Sequence, residues 1–180
     1  MRGRKKVLAI SDFEVNPYTM AIVGEKISKE LPVYTRVIEV EDEFLVKMKP
    51  SMVMDRSCKY FGSSLKGRQE GARELTGITY KVPIAVDPTN EIYMFPTISP
   101  YKDTCAWLSH SYILDYQSAG PEKTIVTFTN NKSIILDVSK GSFENQLNRT
   151  AQYRFLLSKR ISYNSNKQKN KPSKYDYNDE

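Results

Sequence analysis

Apolar and strand-favouring residues recur in short runs along the first quarter of the chain and predict β-strands there. Val7–Val15 and Met20–Gly24 are two such runs, separated by the turn signal Asn16-Pro17. Tyr34–Val40 and Phe44–Met48 are the next two. Four acidic side chains lie at their junction: Glu39, Glu41, Asp42 and Glu43. We interpret them as the solvated tip of a hairpin rather than as a carboxylate site.

Two short helices are predicted next, near residues 52–75. Pro50 ends the preceding strand, and Ser51 is a candidate N-cap for a helix over Met52–Phe61. After a break, a second helix is predicted over Leu65–Leu75, ending at Gly77.

Gly67 and Gly71 lie one turn apart in the second predicted helix, where each lowers helix propensity. Their shared face is smooth, so another backbone can approach closely. The approaching backbone could belong to a nucleic acid or to a neighbouring strand of the same chain, and both interpretations stay open.

The second half of the chain again has strand patterns. Strands are predicted over Ile78–Val86, Ile92–Phe95 and Cys105–Tyr116. Thr124–Thr129 and Ser133–Val138 flank an Asn-Asn-Lys turn and give the clearest hairpin signal. A further set of residues is predicted to be core: Trp107, Leu108, Tyr112, Ile113 and Leu114.

A C-terminal helix is predicted from Phe143 to about Ser162, with Ser142 as its N-cap. Its expected apolar stripe comprises Phe143, Leu147, Ala151, Phe155, Leu156, Leu157 and Ile161. From Asn164 onward no aliphatic residue occurs, which predicts a flexible basic tail over 164–180. The predicted fold is α+β: one domain over 1–163 with a predominantly antiparallel β-sheet scaffold.

Composition excludes several classes of protein. The 180 residues are 39% hydrophobic and 27% charged, and no apolar run is long enough to span a membrane, so we expect a cytoplasmic globular protein. Cys58 and Cys105 stand in no metal-ligand spacing, and His110 is the only histidine. We expect reduced thiols, a structural histidine, no metal and no cofactor. No nucleotide-binding, zinc-protease or hydrolase motif occurs, so an enzyme is not predicted.

The net charge of +6 is unevenly distributed. Residues 1–48 carry eight basic and eight acidic side chains, residues 49–82 seven and three, residues 83–148 four and seven, and residues 149–180 eight and three. Two basic blocks therefore flank an acidic one. They can form one electrostatic footprint only if folding brings them to the same face.

Candidate nucleic-acid contacts lie in both basic blocks. In Met54–Thr76 they are interleaved with glycines and aromatic residues: Arg56, Lys59, Lys66, Arg68 and Arg73. The polar side of the C-terminal helix adds side chains of the types that contact bases and phosphates: Asn145, Asn148 and Arg149. Charge alone does not distinguish this surface from solvated helix faces.

The sequence resembles one known family in several blocks that occur in a fixed order. They are Met48-Lys49-Pro50, Asp55–Ser64 (DRSCKYFGSS), Gly67-Arg68, Pro83–Pro88 (PIAVDP), Phe95-Pro96-Thr97, Trp107–His110 (WLSH), Ser142–Gln146 (SFENQ) and Arg149-Thr150. Together they resemble ComK, the competence transcription factor family of Gram-positive bacteria.

The resemblance implies a sequence-specific activator of DNA-uptake genes. Family members bind paired A/T-rich boxes through the minor groove as dimers of dimers. The implied partners are double-stranded DNA, a second copy of the chain, RNA polymerase and a protease adaptor. A narrow A-tract minor groove attracts arginine, which suits Arg56, Arg68 and Arg73. Asp55, Cys58 and Phe61 are interpreted as structural.

The sequence also departs from the family pattern. Family members carry an adaptor-recognition motif of the FMLYP kind after the last matched helix, and the tail YNSNKQKNKPSKYDYNDE contains none. Adaptor-directed proteolysis is therefore left open. An alternative is a diverged regulatory paralogue that acts through protein–protein interaction without productive DNA binding.

Overall fold

The fold was analysed in a computed structural model, which describes residues 9–169. Its strands are β1 (Ala9–Ile10), β2 (Thr19–Glu25), β3 (Tyr34–Glu39), β4 (Glu43–Val46), β5 (Ile84–Asp87), β6 (Ile92–Pro96), β7 (Ala106–Ser109), β8 (Ile113–Ser118), β9 (Thr124–Phe128) and β10 (Ser133–Leu136). Its α-helices are α1 (Pro50–Tyr60), α2 (Leu65–Thr76) and α3 (Lys140–Lys169). The predicted α+β class is confirmed.

Two sheets form the scaffold. The large sheet has the order β1-β4-β3-β2-β7-β6-β5, and all its neighbours are antiparallel except β1 and β4. The small sheet has the order β10-β9-β8 and is antiparallel throughout. The predicted hairpins β3–β4 and β9–β10 are both present.

Each face of the large sheet has its own core, because successive strand residues point to opposite faces. On the first face, α1 and α2 bury Val53, Met54, Cys58 and Leu65 against sheet residues that include Ile22, Val37 and Trp107. On the second face, the small sheet and the start of α3 bury Val126, Phe128, Leu136 and Phe143 against Ala21, Phe95 and Leu108. A smaller cluster joins α2 to α3 near β5 through Ala72, Val82, Ala85, Tyr93 and Tyr153.

Gly24 allows a close backbone approach at the end of β2. A Cβ atom there would lie 1.7 Å from the backbone oxygen of Asp103. The loop before β7 can therefore pack directly on β2, next to Pro50 at the start of α1.

Several predicted strands are shorter in the structure. Residues 1–8 lie outside the described part of the chain, and within 9–15 of the predicted run Val7–Val15 the strand covers Ala9–Ile10. Only the end of Ile78–Val86 joins a sheet. The predicted strand Cys105–Tyr116 is interrupted by a 3₁₀ turn over His110–Tyr112. This turn moves the chain from the large sheet to the small one, so Leu114 is 57% exposed rather than in the core.

The predicted start of α1 is wrong by two residues. The helix begins at Pro50, after the extended residue Lys49, and Ser51 lies inside its first turn. Proline fits this first helical position because it has no amide hydrogen that would need a partner. For α2, the predicted end is confirmed: Gly77 adopts the left-handed conformation (φ 73°), and its amide donates to the Arg73 carbonyl oxygen.

The start, buried face and end of α3 differ from the prediction. Ser139, rather than Ser142, caps the helix, since its hydroxyl accepts from the Ser142 amide at 3.3 Å. The buried positions are Phe143, Gln146, Thr150 and Tyr153, whereas Phe155 is 60% exposed. A spacing of four rotates by about 40° per step around an α-helix, so the predicted stripe drifts away from the sheet.

The helix also continues to Lys169, into the segment predicted to be a flexible tail. Lys167 stacks over the Tyr163 ring one turn earlier, which supports this last part. Residues 170–180 lie outside the described part of the chain. Within residues 9–169, none of the helices has the length and apolar character needed to cross a lipid bilayer.

Candidate nucleic-acid interface

The predicted contact residues separate into three groups in the structure. Arg56, Lys59 and Lys66 line an open groove of about 460 Å³ between α1, α2 and Tyr101. Arg68 points into the protein. Arg73, Asn145 and Asn148 are exposed on α2 and α3, and Arg149 is half-buried on α3. Lys66 lies in the first turn of α2 and Arg73 in its last, so the length of this helix separates the first group from the third.

The cations of α1 are already paired with carboxylates. Arg56 donates through Nε to Glu14 Oε1 at 2.7 Å, and its Nη1 lies 3.4 Å from Asp12 Oδ1. Lys59 Nζ lies 2.8 Å from Asp55 Oδ2. We define Arg56, Lys59 and Lys66 as the α1 groove cations. Their local charge is largely neutralised by these acidic partners and by Glu70, which lies 3.9 Å from Lys66.

Asp55 has a structural role, as predicted. Its Oδ1 accepts from the Leu65 amide at 2.9 Å and so joins α1 to the first turn of α2. The Lys59 ammonium group and this amide together hold the pKa of Asp55 below its ordinary value, because both stabilise the carboxylate. Ser64 caps α2 by accepting from the Gly67 amide at 3.0 Å.

Cys58 and Cys105 are both buried free thiols. Burial raises the pKa of Cys58 to about 12 and that of Cys105 to about 11, because a thiolate is poorly solvated in the core. Phe61 packs against the same core cluster as Cys58. The structural interpretation of Cys58 and Phe61 fits these positions.

Arg68 connects three elements from within. Its Nη2 donates to the backbone oxygens of Phe61, at 3.4 Å, and Val86, at 3.5 Å. Its Nε is buried without a partner among the described residues. The guanidinium group therefore sits at the end of α1 and at the edge of β5, where the negative end of the α1 dipole favours a cation.

The glycine face of α2 is open to solvent. A Cβ atom at Gly71 would meet nothing within 4 Å, and one at Gly67 would meet only the hydroxyl oxygens of Ser63 and Ser64, each at 3.2 Å. Of the two interpretations of these glycines, packing on a neighbouring strand of this chain is therefore wrong. The face remains accessible to another molecule.

A second group of cations lies where α2 and α3 meet beside the edge of β5. Arg149 Nη1 donates to the Tyr80 backbone oxygen at 3.3 Å, and Lys81 Nζ donates to the Ser142 hydroxyl at 3.2 Å. Arg73 occupies the last turn of α2, just before this connection. We define the α2–α3 seam as Arg73, Tyr80, Lys81, Asn145, Asn148 and Arg149.

The seam differs from the α1 groove in its charge balance. None of its three cations has a carboxylate partner among residues 9–169. Between Glu144 and Asp176 the sequence contains no acidic residue at all. Lys159 and Arg160 extend the same basic character along the exposed continuation of α3.

Sequence reasoning missed part of this arrangement. Tyr80 and Lys81 were not candidates, although the long acid-free segment of α3 was a usable signal for a basic surface. The pairing of Arg56 with Asp12 and Glu14 had no sequence signal, because the partners are more than forty residues apart. Among the described residues, no three histidine, cysteine or acidic side chains are grouped closely enough to hold a metal ion.

Comparison with known proteins identifies the family. The family model described as ComK protein matches residues 10–162. The chain belongs to the ComK family. The competence transcription factor of Bacillus subtilis (strain 168), a ComK-family relative, is 40% identical over 161 residues, which cover 89% of this chain and 83% of the relative. No solved structure matches the chain.

Membership of the ComK family confirms the resemblance read from the sequence blocks. The match covers all three helices up to residue 162 and both sheets except the start of β1. A family of transcription factors also points to a regulatory rather than an enzymatic role.

Proposed function

We propose that this chain is a sequence-specific DNA-binding activator of competence genes. Residues 1–163 act as one regulatory domain that reads A/T-rich promoter boxes largely through the minor groove, as a dimer or a dimer of dimers. It acts in the cytoplasm, with RNA polymerase and a protease adaptor as further partners. The observation that carries the proposal is the family match over residues 10–162, together with the relative named a competence transcription factor.

The α2–α3 seam is the proposed DNA contact. A cation already paired with a carboxylate must give up that partner, or bring its negative charge close to the phosphates, when DNA binds. Arg73, Lys81 and Arg149 have no such carboxylate within residues 9–169, so they can bind DNA and release its counterions at a lower cost. Asn145 and Asn148 supply neutral hydrogen-bonding groups on the same helix as Arg149.

Arginine suits the proposed minor-groove contact. The narrow groove of an A-tract concentrates negative potential, and a weakly hydrated guanidinium group enters it more readily than an ammonium group. Arg73 and Arg149 are the two arginines of the seam. The α1 groove cations Arg56, Lys59 and Lys66 contribute secondarily, and Arg68 positions α2 from behind.

One observation favours the alternative function, a regulatory paralogue without productive DNA binding. Asp55–Ser64 is the longest sequence block that resembles the family. Its two cations, Arg56 and Lys59, are neutralised by Asp12, Glu14 and Asp55. If this segment were the intended DNA contact, its affinity would be weak. The chain would then act through a protein partner.

Quantitative gel shifts distinguish the two functions. The purified chain is titrated against a duplex with paired A-tract boxes and against a duplex of the same length with G/C-scrambled boxes, each at two salt concentrations. We expect binding to the A-tract duplex to be at least about a hundred-fold tighter, within the range of specific over non-specific protein–DNA binding. Equal affinity for both duplexes would contradict the activator proposal, and absence of binding at low salt would favour the paralogue.

A further inference from the structure

The two sheets have four edge strands, and three of these edges are protected. Within the described residues, β1 covers only Ala9–Ile10. β5 is flanked by α2, and its Val86 carbonyl oxygen accepts from Arg68. β8 has an irregular register between Ile113 and Asp115, and its Tyr116 hydroxyl donates to Glu144 at the start of α3. Short strands, covering elements and bulges are the usual ways in which proteins prevent edge-to-edge pairing.

The fourth edge, β10, is four residues long and shows neither a β-bulge nor a backbone hydrogen bond to a covering element in the described part of the chain. Its sequence Ser133-Ile134-Ile135-Leu136 contains no proline and no charge, and its register with β9 is regular. The Ile135 side chain is 63% exposed. A cleft of about 290 Å³ opens beside the strand, between Ile135–Val138 and residues Val23, Gly24 and Ile98 of the large-sheet side.

The hydrogen-bond pattern shows which backbone groups of β10 are free. The Phe128 amide donates to the Lys132 oxygen at 2.8 Å, so these two residues form a hydrogen-bonded pair at the hairpin end. Hydrogen-bonded pairs alternate with non-hydrogen-bonded pairs along an antiparallel ladder. The backbone groups of Ile134 and Leu136 therefore form the next hydrogen bonds to β9. Ser133 and Ile135 therefore direct both their amide and carbonyl groups away from β9. None of these four groups has a partner among the described residues.

We propose that β10 is the self-association edge of this protein, where it pairs antiparallel with β10 of a second copy about a two-fold axis. The inference deepens the proposed function, on whose dimeric assembly it rests. Residues whose free amide and carbonyl groups point away from β9 must pair with such residues of the second copy. Odd-numbered residues of one β10 strand therefore face odd-numbered residues of the other. Centring the axis on Ile135 places Ile135 opposite its own copy and Ser133 opposite Asp137 of the second copy.

This register is chemically self-complementary. The exposed Asp137 pairs through Oδ1 with Lys123 of its own chain at 3.7 Å, and its Oδ2 can accept from the facing Ser133 hydroxyl of the other copy, which contacts the Thr127 hydroxyl within one copy. Lys132 faces Val138 in this register, so no two like charges lie opposite each other along the paired strands. The two small sheets then form one sheet of six strands, and an edge that would otherwise invite uncontrolled pairing is closed by symmetry.

The test compares Ile135→Lys with Leu114→Lys by sedimentation velocity without DNA. Both substitutions place a lysine on a well-exposed apolar position of the small sheet, but Leu114 lies on the protected strand β8. We expect wild type and Leu114→Lys to be dimers and Ile135→Lys to raise the dimer dissociation constant by about tenfold or more. Circular dichroism checks that each variant is folded.

A second pair of variants tests the register directly. Ile135→Cys should form an intermolecular disulfide in air, because directly opposed residues of a hydrogen-bonded pair have Cα atoms about 5.5 Å apart, within disulfide range. Leu114→Cys should not. A wild-type monomer, a dimer unaffected by Ile135→Lys, or equal cross-linking of both cysteine variants would overturn the proposal. The gel shift with the A-tract duplex tests DNA recognition separately. Failure of the β10 proposal can therefore be distinguished from failure of the proposed DNA-binding function.

Discussion

At the scale of single residues, the direction in which a side chain points decides whether a basic residue is available to DNA. Arg68 and Arg73 lie in the same helix and were equivalent candidates in the sequence. Arg68 contacts two backbone oxygens inside the protein, whereas Arg73 is exposed in the last helical turn. Composition and spacing do not contain this difference, because it depends on how α2 rotates when Leu65, Gln69 and Ala72 are buried.

The substitution Arg68→Met tests whether this arginine stabilises the fold or contacts DNA. The substitution keeps the apolar stem but leaves the Phe61 and Val86 oxygens without their donor. We expect the free energy of unfolding, measured by urea denaturation, to fall by about 1–2 kcal/mol. The salt dependence of DNA binding should be unchanged. An unchanged stability with a shallower salt slope would instead make Arg68 a DNA contact.

At the scale of elements, helix existence was more predictable than helix boundaries or buried faces. The end of α2 at Gly77 followed from its glycine, and the β9–β10 hairpin followed from β-branched arms around an Asn-Asn-Lys turn. The buried face of α3 did not follow from apolar periodicity, because Gln146 is one of its core residues. Its amide donates to the Lys81 and Pro96 oxygens at 2.8 and 2.9 Å, which offsets the cost of burying it.

The only histidine of the sequence, His110, lies where α3 packs against the rest of the protein. Arg154 Nη1 lies 2.9 Å from His110 Nδ1, and Arg154 also pairs with Glu91 and lies over the Tyr93 ring. Burial and, next, the Arg154 charge lower the pKa of His110 below 6.5, against a hydrogen bond with the Leu147 backbone that raises it. The neutral imidazole is therefore the form that accepts from Arg154.

This arrangement predicts a stability loss on the acid side. Because the folded-state pKa of His110 is below its unfolded value, the contribution of the neutral ring is complete above about pH 6.5. It is lost as the pH falls from there through the folded-state pKa, with a slope of at most about 1.4 kcal/mol per pH unit. Urea denaturation between pH 5 and 8 should show this component in wild type and lack it in His110→Gln. Identical pH profiles would contradict it.

At the scale of the whole molecule, folding distributes the candidate DNA contacts between the α1 groove and the α2–α3 seam. Glu14 and Asp12 come from the segment before β2 and neutralise Arg56, while Arg149 of α3 has no carboxylate partner within residues 9–169 and contacts the Tyr80 backbone oxygen instead. Long-range pairings of this kind are invisible in block charges along the sequence. The family and the α+β class were predictable, and the division of charge between two surfaces was not.

The salt dependence of binding to the paired A-tract duplex tests this account most directly. The double variant Arg73→Gln/Arg149→Gln in the seam is compared with Arg56→Gln/Lys59→Gln in the α1 groove. This control removes the same number of positive charges, two, from the other surface. We predict that the slope of log affinity against log salt becomes shallower by about 1.8 for the seam variant, or about 0.9 per lost phosphate contact, and changes much less for the groove variant, whose cations contribute only secondarily. The reverse result, with both proteins folded, would contradict the assignment of DNA binding to the α2–α3 seam.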